Sequence, residues 1–166
     1  MEAIQGKKLI LLFRALNDAG TQKGLKLAFQ TEHSVDSSLN SDTTITKDGS
    51  ITTGTSVEEE IPFTCIMGRN DDTAKMLKEA HRKGEVVEMW EVDTTEKDSE
   101  GKYLAEYRQG LITSYSKTAN VEDLIELSCT FKVNGIAQEG LVTLTEEQEE
   151  VVQYAFRDTE IVTEGA

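Results

Sequence analysis

The sequence predicts a mainly β (α+β) domain flanked by one α-helix, with a long polar hairpin or loop protruding from it. Three observations lead there. Apolar residues recur mostly at every second position, the period of a half-buried strand. A single segment has helical spacing between a capping residue and a glycine. One stretch, residues 31–56, has Ser or Thr at 13 of its 26 positions, with Val35, Leu39, Ile45 and Ile51 as its large apolar residues.

In chain order, Leu9–Phe13 is a short apolar run ended by the turn-prone Asn17–Asp18–Ala19–Gly20. Leu25, Leu27 and Phe29 then alternate with Lys26, Ala28 and Gln30, predicting a half-buried strand. In the Ser/Thr-rich stretch, Asp48–Gly49 is a type I′ turn signal that pairs Lys47 with Ser50 and Ile45 with Thr52. The resulting hairpin is polar on both faces, and a lone two-stranded hairpin is marginal in water, so it needs a second surface; the alternative is a mobile loop. Val57, Ile61, Phe63, Cys65 and Met67 share one strand parity, with Glu58, Glu60 and Thr64 on the other.

The helix is expected over 71–83, with Asn70, Asp71 and Asp72 as candidate N-caps and Gly84 at C′. Ala74, Leu77, Ala80 and His81 line one face, so the helix covers a face or edge of a sheet. Two further strands, Val86–Asp93 and Tyr103–Tyr115, are joined through Ser99–Glu100–Gly101. Asn134–Gly135 sits between two β-patterned segments and predicts a tight hairpin that pairs Val133 with Ile136 and Phe131 with Gln138. Glu146–Glu150 could start a weaker helix through Phe156 or an acidic extension.

The chain has 166 residues, enough for one domain that buries roughly 70% of its unfolded surface. Acids outnumber bases 31 to 17, a formal charge of −14. That balance excludes binding to DNA through clustered Lys and Arg, and it repels anionic lipid surfaces. No apolar span is long enough for a transmembrane helix, and the N-terminus does not read as a signal peptide. Two Cys 64 positions apart, without an export signal, are expected to be reduced thiols in a protein made inside a cell.

Catalytic constellations are thin. His33 and His81, the two histidines, lie in no metal-ligand spacing, and no Gly-rich phosphate loop is present. Cys65 and Cys129 are expected to be small core residues rather than metal ligands. Asp93, Glu96, Asp98 and Glu100 match a calcium loop in charge but not in spacing, and Trp90 is expected in the core. The reading is a non-enzyme without catalytic residues, metal or cofactor.

Lys8–Leu16 (KLILLFRAL), Leu27–Ser34 (LAFQTEHS) and Asp42–Gly49 (DTTITKDG) resemble the N-terminal part of the major tail proteins, or tail tube proteins, of long noncontractile-tailed phages of Gram-positive hosts. The similarity continues more weakly through Ile61–Met67, the helix and the strands of 103–145. It implies a tail-tube-type β-sandwich or β-barrel flanked by a helix, forming hexameric rings that stack into a hollow tube in the virion tail. Genomic DNA would pass through the lumen without specific binding. Implied partners are further copies of the chain, a tape-measure protein, and tail terminator and distal tail proteins, with assembly in the host cytoplasm.

On that resemblance the chain divides into a tail-tube β-domain over 1–156, with 34–56 as its arm, and an acidic C-terminal extension over 157–166. Asp36, Asn40, Asp42, Thr44, Lys47 and Asp48 are the expected inter-ring contacts, and Glu58, Glu60, Glu88, Glu91 and Asp93 the expected lumen-facing acids. The competing readings are a secretion-system tube, another tail ring component, and a monomeric β-sandwich binding module. The last would need an aromatic sheet face, and aromatic residues are only 6% of this chain.

Overall fold

The computed structural model describes residues 1–145 and residue 148. Its strands are β1 (Leu9–Ala15), β2 (Leu25–Lys26), β3 (Gln30–His33), β4 (Asp36–Thr46) and β5 (Gly49–Ile66), then β6 (Val87–Asp93), β7 (Tyr103–Thr118) and β8 (Glu126–Val142). One helix, α1 (Asp72–Lys83), separates β5 from β6. All eight strands form one sheet in the order β2-β1-β6-β7-β8-β5-β3, with β4 paired to β5.

The sheet curls into a half-barrel, and a side chain bridges its two ends. Gln30 on β3 reaches β1, where its Oε1 accepts from Leu11 N at 2.9 Å and its Nε2 donates to Leu11 O at 2.8 Å. The same Nε2 donates to Leu27 O at 2.9 Å. A carboxamide sets an N–H donor beside a C=O acceptor, so Gln30 satisfies the buried Leu11 backbone as a neighbouring strand would, and its second N–H serves Leu27 O.

Strand alternation builds two apolar clusters. Leu11 and Phe13 enter the larger one with Ile61, Phe63, Cys65, Met89, Leu127 and Phe131. Phe13 packs against Phe63 and Phe131 with ring centroids 5.0 and 6.5 Å apart. Each such side chain, fully buried, contributes about 1.5–3 kcal/mol. Leu12 faces the other way, into a smaller cluster with Val92, Tyr103, Ala105 and Leu144, against which Trp90 packs half-buried. Cys65 and Cys129 are free and buried, and burial pushes their thiols up to about 11 and about 12.

The helix forms where its caps place it. Asp71 Oδ1 accepts from Thr73 N at 3.0 Å and Ala74 N at 3.2 Å, and Gly84 ends the helix in the left-handed region at φ 65°. Ala74, Leu77 and Ala80 are buried in the larger cluster, and His81 Nδ1 donates to Ile112 O at 2.7 Å. Asp71→Ala should cost about 1 kcal/mol, the usual cost of losing an N-cap, read as a lower urea midpoint with an unchanged slope.

Three local expectations are corrected. The strand expected through Phe29 stops after Lys26, because Phe29 adopts φ 50° and its side chain is exposed. Asn134–Gly135 makes no hairpin. β8 runs through it, with Gln109 opposite Asn134 and Tyr107 opposite Gln138, so three β8 residues bulge opposite Arg108. Only Gly135 takes positive φ, whereas a type I′ turn needs it at both central residues, and pairing along β7 outweighs the local turn. In the β4–β5 hairpin the register is two residues off the expectation: Thr46 pairs with Gly49 and Ile45 with Ser50, so Lys47–Asp48 is the loop.

Candidate assembly surfaces

The β4–β5 hairpin projects as an arm. Every residue of β4 is exposed, as are those of β5 from Gly49 to Ser56. The sequence puts hydroxyls where a core would put hydrocarbon, so the ribbon is held by its backbone ladder and short cross-strand bonds. Asn40 Nδ2 donates to Ser56 Oγ at 3.1 Å, and the Thr43 and Thr52 hydroxyls bond at 3.2 Å. At the tip, Thr46 Oγ1 donates to Gly49 O at 2.7 Å. Thr55 bulges between the pairs Asn40–Ser56 and Ser41–Gly54, and its hydroxyl donates to Asn40 O at 3.0 Å. Leu39, Ile45 and Ile51 stand exposed along the ribbon, Ile45 at 87%.

All six expected inter-ring residues, Asp36, Asn40, Asp42, Thr44, Lys47 and Asp48, lie on this arm and are exposed. Asp36, Asn40, Asp42 and Thr44 alternate along one face of β4, and Lys47 and Asp48 form the tip. The expected lumen acids divide. Glu58 and Glu60 are exposed at the arm's root, where they line a cavity of about 540 Å³ with Asp36 and Lys132. Lys132 Nζ lies 3.4 Å from Glu60 Oε1.

Glu88, by contrast, is buried: Arg14 Nε donates to its Oε2 at 2.5 Å and Tyr107 Oη to its Oε1 at 2.6 Å. The bond to Glu88 raises the Arg14 guanidinium above its ordinary value, and burial with the same bond raises the Tyr107 phenol. Glu91 is largely covered and accepts from His33 Nε2 at 2.6 Å. Asp93 is half-buried, with its Oδ1 accepting from Thr95 N at 2.9 Å.

At the arm's root lies a polar cluster that the sequence reading missed. Arg108 is only 3% exposed; its Nε donates to Glu59 Oε2 at 3.2 Å and its Nη2 bonds Glu106 Oε2. Glu59 belongs to β5, one residue beyond the last β5–β8 pair, Glu60–Lys132, where the arm leaves the sheet. The available signal was parity: Glu59 falls in phase with Val57, Ile61, Phe63 and Cys65, so an acid was bound to point inward. Beyond that fork, β5 from 49 to 59 and β8 from 133 to 142 each keep one edge without a strand partner among the described residues. Next to the open β8 edge, Leu104 and Leu141 form an exposed apolar cross-strand pair, beside Glu106 opposite Glu139.

An arm without a core of its own, open sheet edges and an exposed apolar pair define a structural, self-associating β-protein, because unpaired edges and such pairs are surfaces that other chains cover. Among the described residues no group of His, Cys, Asp and Glu could hold a metal, and no helix is long and apolar enough to cross a membrane. The chain belongs to the phage tail tube protein family, whose model matches residues 3–139. Its role is that of a structural tail tube component of a virion.

A tail protein of Staphylococcus phage phiMR25 is 31% identical over 156 residues, spanning 90% of this chain and 80% of that protein. The tail tube protein gp17.1* of Bacillus phage SPP1 is 30% identical over 145 residues, 87% of this chain, and the match spans about half (54%) of the SPP1 protein. The fold matches a chain of the SPP1 tail tube structure with TM-score 0.77 at 23% identity, covering 93% and 91% of the two chains. It also matches a chain from the tail of an empty gene transfer agent particle refined with C6 symmetry, at TM-score 0.65 and 15% identity, covering 82% and 98%.

Proposed function

We propose that the chain polymerises as stacked hexameric rings into a hollow tube that conducts genomic DNA. The observation that carries this reading is the β4–β5 arm, an eleven-residue strand exposed throughout and paired to β5, with three exposed apolar side chains and no packing surface of its own. A ribbon of this kind gains order by lying against another copy. The sixfold symmetry of the gene transfer agent tail supports the ring size. Open β5 and β8 edges supply the lateral pairing that closes a ring, since closure removes free edges.

In this reading the arm contacts the next ring through Asp36, Asn40, Asp42, Thr44, Lys47 and Asp48. Glu58, Glu60 and Asp93 are the acids offered to the lumen, while Glu88 and Glu91 act within the protomer on Arg14 and His33. A wall of the same sign as DNA discourages adhesion over about a Debye length, ~8 Å in physiological salt. The chain acts mechanically and carries out no reaction. A tape-measure protein in the lumen and terminator and distal tail proteins at the tube ends complete the set of partners.

Negative-stain electron microscopy of the concentrated full chain should show tubes or rings. Replacing Asp48–Gly49 with Ala–Ala puts a side chain at Gly49, whose φ of 134° disfavours one, and removes the tip carboxylate. The variant should keep the protomer's circular dichroism spectrum and form far fewer tubes. Normal tubes from it would refute the arm's role.

A further inference from the structure

A groove of about 1220 Å³ runs beside the outer edge of β1. Among the described residues it is rimmed by Lys7, Lys8, Lys23 and Lys26 against one acid, Glu32. In a chain where acids outnumber bases 31 to 17, that local excess of bases runs against the overall balance. Its floor is apolar: Leu9, Ile10 and Leu25 line it, as does Phe29, whose side chain is 49% exposed. β1 pairs with β2 only at Leu12 and Phe13, and Gln30 satisfies Leu11; at Leu9, whose N–H donates to Gly6 O, β1 has no strand partner on that side among the described residues.

The chain itself leads into this groove. Thr145 and Gln148 both line it, and Gln148 Nε2 donates to Gly24 O in its wall. Thr145 N donates to Gln148 Oε1 at 2.9 Å, so the side chain that marks the entry is held at both its oxygen and its nitrogen, and Gln148 N donates to Thr145 Oγ1 at 3.3 Å. Residues 149–166 follow. They carry Glu149, Glu150, Asp158, Glu160 and Glu164 against Arg157 alone, interspersed with Val151, Val152, Tyr154 and Phe156.

We propose that the groove is the docking site of this chain's own residues 149–166, whose acids meet the lysine rim and whose apolar side chains cover the floor. Charge sign, apolar content and point of entry agree independently. The occupied groove shields the short edge of β1 at Leu9 that no strand covers, and an uncovered edge is a place for pairing with another chain's strand. The proposal concerns one protomer and stands apart from the tube reading.

Carbodiimide cross-linking of the full chain, mixed as equal parts of 14N- and 15N-labelled protein, tests it in any assembly state. Cross-links from the 149–164 acids should concentrate on Lys7, Lys8, Lys23 and Lys26 over the exposed Lys47, Lys75, Lys83 and Lys117. They should join peptides of one isotope only and decline at high salt. Exchanging Lys7, Lys8 and Lys23 for Gln should leave only links to Lys26, at a yield several-fold lower than in the parent. Cross-links spread evenly over all lysines, or an unchanged yield on Lys26 in the triple variant, would overturn the proposal. Pairs of mixed isotope would also overturn it, by assigning the groove to a second copy.

Discussion

Arg108→Ala is expected to destabilise the protomer by about 3–5 kcal/mol, because it strips a buried acid of its counter-charge. Glu59 is itself nearly buried, and the Arg108 guanidinium, 3.2 Å away, is the cation that faces it. Glu106 is 40% exposed and can turn to water when Arg108 is lost, so the cost falls mainly on Glu59. The double variant Arg108→Met/Glu59→Met should recover most of the loss, since two apolar side chains of similar volume replace a buried pair at little net cost. Urea unfolding of the two variants checks both statements. A single variant as stable as the parent would show that Glu59 finds another partner. The cluster also ties the arm's root to β7, so the single variant should loosen the arm, read as faster amide exchange over 50–58 than in the parent.

Gly110→Ala should cost about 3 kcal/mol or more, at the upper end of overpacking effects. A Cβ built on Gly110 stands 2.0 Å from Lys132 O and 3.0 Å from Phe131 Cζ. The first obstacle is backbone in the partner strand, which moves only if the β7–β8 pairing moves with it. Gly110 sits opposite Val133, two β7 residues from the bulge at Arg108, where the register already shifts. The expected result is a chain that expresses poorly or unfolds at a much lower urea concentration. Gly54→Ala is the internal comparison: there the nearest atom is a flexible Leu39 methyl at 3.1 Å, and the change should be mild. Equal stabilities for the two variants would show that β8 yields easily at Lys132.

What was legible in the sequence was whatever depends on local periodicity and capping. The Ile61, Phe63 and Cys65 alternation, the Asp71 and Gly84 caps and the exposed Ser/Thr ribbon all follow from side-chain phase and backbone chemistry within a few residues. What was not legible depends on partners distant in sequence. Gln30 closes the curl through Leu11, 19 residues away, and nothing in its neighbours marks it. Arg108 meets Glu59 from 49 residues away, although the inward phase of Glu59 was there to be read. Asn134–Gly135 failed as a turn because a local preference of this kind yields when a long neighbouring strand offers an uninterrupted ladder. The weak-helix or extension alternative over 146–156, the 1–156 domain boundary and the 157–166 extension fall on residues outside the described ones.

The one-for-one pairing down the arm, broken only at Thr55, carries its own lesson about how such a projection can change over generations. A ribbon whose strands are each lengthened or trimmed by an even number of residues retains its sidedness, while an odd change turns one strand inside out relative to the other. The extra residue at Thr55 shows how an odd count is absorbed, by a kink that restores phase. Relatives with longer or shorter projections should therefore differ by even steps per strand, or pair each odd step with a compensating kink.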